Sequence, residues 1–266
     1  MTMFAFDLIS DLHIETWPDD FDWQGFATSP YCIITGDVAR DRGQMLRTLK
    51  HLGSCYRAVF YIDGNDEHVD YWQDLDTSYS NLTTRIKRVS NVVYLQNNVI
   101  IVDGVAILGT NGWWGFDFSD TIDPTQVAKW FQDRWQGQCS TDTLRQISER
   151  ANADAAYLRN SVRKLQTHGE VKHIVIATHT VPLPELIEHD IELSQSMRFN
   201  CMGNQALRHC LDADIEGKIH TWCFGHYHMP VDQVRDRVRF VNNCRGRGDS
   251  AYRQWAYQPR RIEINV

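Results

Sequence analysis

Five times in this chain a short apolar run stops at a residue able to hold a metal ion. FAFDLIS precedes Asp11 and His13, YCIIT precedes Gly36-Asp37, AVFYID precedes Gly64-Asn65, HIVIAT precedes His179, and IHTWCF precedes Gly225-His226-Tyr227-His228. Continuous runs of β-branched and aromatic residues read as strands buried on both faces. Ligands in open α/β sheets gather beyond the carboxyl ends of such strands. The pattern therefore predicts an α/β fold in which several strand ends assemble one site.

At 266 residues the chain is long for one domain but within reach of a single α/β unit. We expect one domain over residues 1–266, with a helical insertion at about 124–168. A hydrophobic fraction of 42% is enough for a full core, and no segment approaches the roughly 18 uninterrupted apolar residues of a membrane span. No basic segment followed by an apolar stretch and a cleavage site opens the chain, so the expectation is a cytoplasmic protein without a membrane partner. The seven cysteines, Cys32, Cys55, Cys139, Cys201, Cys210, Cys223 and Cys244, are odd in number and form no CxxC pair. They read as reduced core residues, not as a disulfide framework or a zinc ribbon. The net charge of −7, without a Lys/Arg run, disfavours a general affinity for nucleic acid.

Along the first 110 residues strand-like runs alternate with helix-like ones, as in stacked βαβ units. Met45, Leu46, Leu49 and Leu52 form a helical stripe after Asp37, and a longer polar helix is expected over Tyr71 to Arg88. Val92–Leu95, Val99–Val102 and Val105–Leu108 follow as short strands, with Asn97-Asn98 and Asp103-Gly104 as turn signals. Pro124 starts a helix with Val127, Trp130, Phe131 and Trp135 on one face, and Leu144–Leu165 reads as a second long helix. After His173 a further alternating stretch includes a helix-like Asn204–Leu211, and Val238–Val241 and Arg261–Val266 close the chain as strands.

Asp, Asn and His provide carboxylate, amide and imidazole donors. This mixture suits manganese, iron or zinc and is poorly matched to calcium. Seven such residues at five strand ends suggest two ions. A carboxylate can bridge a cation pair because its two oxygens and its charge offset the repulsion between the ions. Asp37, in the middle of the series, is the natural bridge. Asp11 and His13, like His226 and His228, are two positions apart, which places each pair on one side of an extended segment.

In this order the residues resemble the calcineurin-like metallophosphoesterases, whose motifs are DxH, GD, GN with a following His and acid, a later His, and GHxH. The match runs from Asp11-Leu12-His13 through Gly36-Asp37, Gly64-Asn65-Asp66-Glu67 and His179 to Gly225-His226-Tyr227-His228. The resemblance implies a bacterial-type member with two packed mixed β-sheets flanked by helices in four layers. It implies that Asp11, His13, Asp37 and His228 hold one ion, that Asp37, Asn65, His179 and His226 hold the other, and that Asp37 is shared. The implied reaction is hydrolysis of a phosphomonoester or phosphodiester by a metal-bound hydroxide, with a small-molecule phosphoester as substrate.

One position departs from the family pattern. Asp66 stands where a His commonly contacts phosphate and helps to protonate the leaving group, and His68 follows two places later. An Asp cannot donate as an imidazolium does. The catalytic assignments are therefore Asp37, Asp66 and His68, with His68 expected to reach in from the first helical turn. The alternative is a substrate with a good leaving group or its own proton donor. Asn65, Asn111 and Trp113, with Arg245 or Arg247 in the loop after the last GHxH-linked strand, are the expected substrate wall. Trp113 or Trp114 offers an indole for stacking, and the arginines offer a bidentate fork. Taken singly, tryptophans more often fill cores, such arginines are often solvated turn residues, and Glu67 suits either a helix start or support of the ligands. Two rival functions remain beside the phosphoesterase: a metal-dependent nuclease and a non-catalytic metal-binding scaffold. Neither the oligomeric state nor the physiological substrate is legible from the residues.

Overall fold

The computed structural model describes residues 3–18, 26–72, 74–135, 138–251, 253–254 and 256–266. A five-stranded sheet has the order β11 (Arg260–Asn265), β1 (Met3–Ile9), β2 (Tyr31–Thr35), β3 (Ala58–Ile62) and β4 (Val92–Tyr94). A six-stranded sheet has the order β5 (Asn98–Val102), β6 (Val105–Thr110), β7 (His173–Thr178), β8 (Ile219–Phe224), β10 (Val238–Asn242) and β9 (Val231–Arg235). The strands that lead into the predicted site are parallel to their neighbours: β1 with β2, β2 with β3, and β7 with β8.

Alternation along each strand sorts the core into layers. Phe6, Leu8, Ile33, Phe60 and Ile62 of the first sheet meet Ile107, Val175, Ala177, Cys223 and Val241 of the second in one buried cluster. The intervening Ile9, Cys32, Ile34, Val59 and Tyr61 pack against Met45, Leu49 and Leu52 of α1 (Arg42–Cys55) and against Leu82 and Ile86 of α2 (Leu75–Ile86). On the opposite outer face Leu108, Ile174, Ile176, Trp222 and Phe240 are covered by Ala155, Leu158, Val162 and Leu165 of α4 (Thr141–Gln166). The result is the expected helix–sheet–sheet–helix layering. Truncating a residue such as Ile33, 0% exposed between the sheets, to Ala would cost about 2–5 kcal/mol.

Helix starts follow local chemistry. Asp41 and Asp74 accept from the backbone N–H of Gln44 and Thr77 at the starts of α1 and α2. Asp123 followed by Pro124 opens α3 (Pro124–Arg134), and Ser140 with Thr143 forms a reciprocal capping box on α4. The polar helix expected from Tyr71 is shorter than its pattern, because Asp74 caps a new start after a 3-10 turn at Asp66–Tyr71; Gln73, inside the expected helix, lies outside the described residues. The three closely spaced strands do not form one meander: β4 edges the first sheet and β5 begins the second, with Asn97 at φ 54° between them. Asp103 (φ 50°) and Gly104 (φ 83°) then close the β5–β6 hairpin, as a two-residue turn with both central φ positive does. Strand β9 has a largely exposed, polar sequence and was not foreseen. All seven cysteines are free. Among the described residues no helix is long and apolar enough to cross a membrane.

Candidate metal centre

The loops after β1, β2 and β8 turn through left-handed backbone at Asp11 (φ 49°), His13 (φ 42°), Asp37 (φ 51°) and His226 (φ 66°). Non-glycine residues in this region are uncommon, and surrounding bonds must hold them there. Asp11 and His13 donate their N–H groups to the carbonyls of Gly36 and Asp37, each at 3.0 Å, and Gly225 N–H donates to His179 O at 2.8 Å. The buried Glu67 carboxylate accepts from the backbone N–H groups of Asp37 (3.1 Å), Val38 (2.7 Å) and Gly64 (2.7 Å), tying the β2 loop to the β3 loop. These loops approach so closely that a Cβ on Gly64 would sit on the Asp37 carboxylate.

Seven side chains from five strand ends thereby converge. His13 Nε2 faces His228 Nε2 at 3.1 Å, and His228 Nε2 lies 3.4 Å from Asp11 Oδ1. Asp37 Oδ2 lies 3.6 Å from His13 Nε2 and 3.5 Å from His179 Nε2, and Asn65 Oδ1 is 3.0 Å from His179 Nε2. Asp11, His13, Asp37 and His228 form one group whose ligand atoms lie within 4.8 Å of one another; Asp37, His179 and His226 form a second, and Asp37 belongs to both. The donor set fits cations. Two imidazole nitrogens at 3.1 Å can share at most one proton, and the buried carboxylates beside them favour positive charge.

The outer atoms of the rings are also occupied. His179 Nδ1 is 2.8 Å from Thr35 O, and His226 Nε2 is 3.1 Å from Cys201 O, so each donates its N–H outward and turns its other nitrogen toward the centre. His13 Nδ1 faces Asp66 Oδ2 at 3.3 Å and Glu15 Oε1 at 3.7 Å. Asp66 also bridges outward to Arg247 Nη1 at 3.5 Å, accepts the Asn65 amide at 2.8 Å, and donates its N–H to Asp37 Oδ1 at 2.9 Å.

Charge states follow from burial and from these neighbours. Burial opposes the Asp11 charge, but the His228, His179 and His13 rings outweigh it and hold this carboxyl well below the usual range. Burial likewise opposes a charged His179, yet Asp37 beside it pushes the ring up to about 10. Glu67 is pushed up to about 8 by burial and by the neighbouring Asp37. His226 goes well below the ordinary imidazole value through burial, reinforced by the positive charges of His179, His228 and Arg198.

The other expected site residues lie elsewhere. His68 does not reach toward the centre: it is 0% exposed, with Nε2 at 2.8 Å from Asp63 Oδ2 and Nδ1 at 2.7 Å from Ser78 Oγ. Asn111, also buried, donates its amide to Asp63 Oδ2 at 2.9 Å. Trp113 presents no stacking face; it is fully buried and its Nε1 donates to the Tyr79 hydroxyl at 2.7 Å. The cause is Asp63. This buried carboxylate at the end of β3 needs donors, and it collects His68, Tyr79 (3.0 Å), Tyr94 (2.5 Å) and Asn111. Its place at the polar end of AVFYID was the available signal. Trp114 stacks on the His226 ring, with centroids 5.4 Å apart. Arg245 is buried with its guanidinium 3.8 Å above the Trp17 ring, whereas Arg247 stands half-exposed beside Asp66.

No family model matches the chain. Uncharacterized protein L509 of Acanthamoeba polyphaga mimivirus is 20% identical over 259 residues, a match that spans 90% of this chain and 89% of that protein. The crystal structure of the phosphopantetheinyl hydrolase of Mycobacterium tuberculosis superposes with a TM-score of 0.72 at 19% identity, covering 97% of this chain and 95% of that one. Over nearly the full length of both molecules, this chain and the mycobacterial hydrolase share one fold.

Proposed function

We propose that this chain is a metal-dependent phosphoester hydrolase of the calcineurin-like type, acting on a small-molecule phosphomonoester or phosphodiester. One observation carries the reading: two groups of buried carboxylate and imidazole donors, drawn from separate strand ends, share Asp37. Asp11, His13, Asp37 and His228 would hold one ion, and Asp37, Asn65, His179 and His226 the other. Bound there, manganese, iron or zinc ions would act as Lewis acids toward the phosphoryl group and lower the pKa of a water.

The protein's own residues supply order. Asp37 is pinned by Glu67 through its N–H and by Gly36 and Gly64, which admit its loop. Asp66 fixes the amide of Asn65 and faces the outer nitrogen of His13. Arg247, at the exposed end of the Asp66 pair, is placed to receive a phosphoryl oxygen. Trp114 and the carbonyl of Cys201 hold the plane of His226. Preorganised donors of this kind lower the cost of stabilising a transition state.

The test is a panel of phosphomonoesters and phosphodiesters, phosphopantetheinyl esters included, with protein reconstituted in turn with Mn²⁺, Fe²⁺ and Zn²⁺. Hydrolysis lost in Asp37→Asn and His179→Ala is expected; no turnover on any ester overturns the reading. Uptake of two ions per chain without turnover would instead favour the scaffold. A nuclease would call for a basic groove along a phosphate backbone, and a net charge of −7 does not favour one.

A further inference from the structure

A pocket of about 310 Å³ opens beside His228, at the lower end of the range for small-molecule sites. One wall comes from the chain between Asp190 and Met202, which forms the short helix Ile191–Ser194 and the 3-10 turn Met197–Cys201; the other is Tyr227 to Met229. The bond from His226 Nε2 to Cys201 O fixes that turn against the centre. The His228 side chain is 19% exposed, while those of Asp11, His13, Asp37 and His179 are at most 2% exposed. The pocket and the candidate metal centre therefore share a wall.

Leu193 and Met229, both partly buried, give the pocket an apolar wall, and Glu192 and Arg198 bring opposite charges to its rim. Among the described residues, the Arg198 guanidinium makes no hydrogen bond or ion pair. Among the described residues, the His228 ring is the one aromatic face that opens here. Tyr227 is 4% exposed with its hydroxyl on Asp190, and Trp113 and Trp114 are closed off. A nucleobase would find only the His228 ring to stack on, a ring already assigned to an ion in the proposed reading, and Asp190 and Glu192 would repel additional phosphates. Thioether and leucine walls suit a flexible aliphatic chain. A guanidinium and a carboxylate on one rim match the carbonyl and the N–H of an amide.

We propose that this pocket is the leaving-group subsite and that it selects phosphoesters of acyclic, amide-bearing aliphatic alcohols over nucleotides, with Arg198 as the specificity-determining side chain. The inference rests on the phosphoesterase reading above. Hydrolysis breaks the bond from phosphorus to that alcohol's oxygen; water supplies the new oxygen on phosphorus and one proton to the departing alcohol.

Two measurements test it. Calorimetric titration of manganese-loaded protein with pantetheine, an acyclic diamide alcohol, and with adenosine reads the pocket without hydrolysis. Pantetheine should bind at least tenfold more tightly than adenosine, and Arg198→Gln and the pocket-filling Met229→Trp should each weaken it at least tenfold. The ratio of kcat/KM for 4′-phosphopantetheine over that for adenosine monophosphate should fall at least tenfold in Arg198→Gln. Absent binding of pantetheine, equal binding of both compounds, or ratios unchanged by Arg198→Gln overturn the proposal. If wild type hydrolyses no ester, the enzyme reading fails, and the titrations alone decide the pocket.

Discussion

His13 and His228, 215 positions apart in sequence, bring their Nε2 atoms to 3.1 Å. Two ring nitrogens so placed, flanked by Asp11 and Asp37, are better satisfied by a divalent cation than by a shared proton. Saturating Mn²⁺ should therefore stabilise the folded state. At a hundredfold excess over Kd this is worth about 2.7 kcal/mol, a rise in Tm of roughly 5–10 °C for a chain of this size. A chelator should reverse the rise and His228→Ala should reduce it, as followed by differential scanning fluorimetry. An unchanged Tm would contradict cation binding.

His68 is held by Asp63 and Ser78 in this structure, and we expect it to brace Asp63 and not to serve the leaving group. Replacing it with Ala strands a buried carboxylate and the Ser78 hydroxyl, and should cost about 2–4 kcal/mol in a urea titration. Turnover should fall by the same factor for esters with good and poor leaving groups. A loss concentrated on poor leaving groups would restore His68 as general acid.

Glu67 receives three backbone N–H groups. In Glu67→Gln one acceptor oxygen becomes an NH₂ group facing donors, so we expect a loss of about 1–3 kcal/mol. Metal content by mass spectrometry should also fall, because Asp37 loses an anchor; outer-shell changes of this type cost about 10–100-fold in metal affinity. Retained stability and metal content would remove Glu67 from this role.

Asp154 on α4 accepts the Gly112 N–H at 2.8 Å and the Gln96 amide at 2.9 Å, and burial pushes it up to about 7 from 3.8. Between these values the unfolded chain has released a proton that the folded chain retains. Stability attributable to this group should thus decline as pH rises from about 4 to 7 and level off above, by at most about 4 kcal/mol. Asp154→Asn should abolish that slope while weakening the bond to Gln96 at every pH. Urea midpoints at pH 5, 6 and 8 for both proteins would show it, and parallel curves would refute it.

The strands were legible because continuous apolar runs mark segments buried on both faces, while the two-sheet layering followed only from the family resemblance; in the structure Phe6 and Leu8 face one way and Ile9 the other. Ligand types at strand ends were visible for a similar reason, since a polar residue that ends an apolar run is placed by the strand itself. What stayed hidden depends on partners distant in sequence. His68, Asn111 and Trp113 each looked available, yet all serve the Asp63 network, which joins β3, α2 and the loop after β6. The segment from Asp190 to Met202 has no periodicity to read, being a string of short turns, and its bearing on the site emerges only from the bond between Cys201 and His226.

The candidate ligands divide between the two sheets: Asp11, His13, Asp37 and Asn65 follow strands of the first, and His179, His226 and His228 follow strands of the second. During synthesis, a growing chain that has not yet emitted β8 lacks the two histidines that complete both groups. On the proposed reading, ion capture would wait until residues 226–228 have been made, and a bound ion would tie the two sheets together through ligands from each. Cleavage between residues 37 and 226 would leave neither fragment with either group complete.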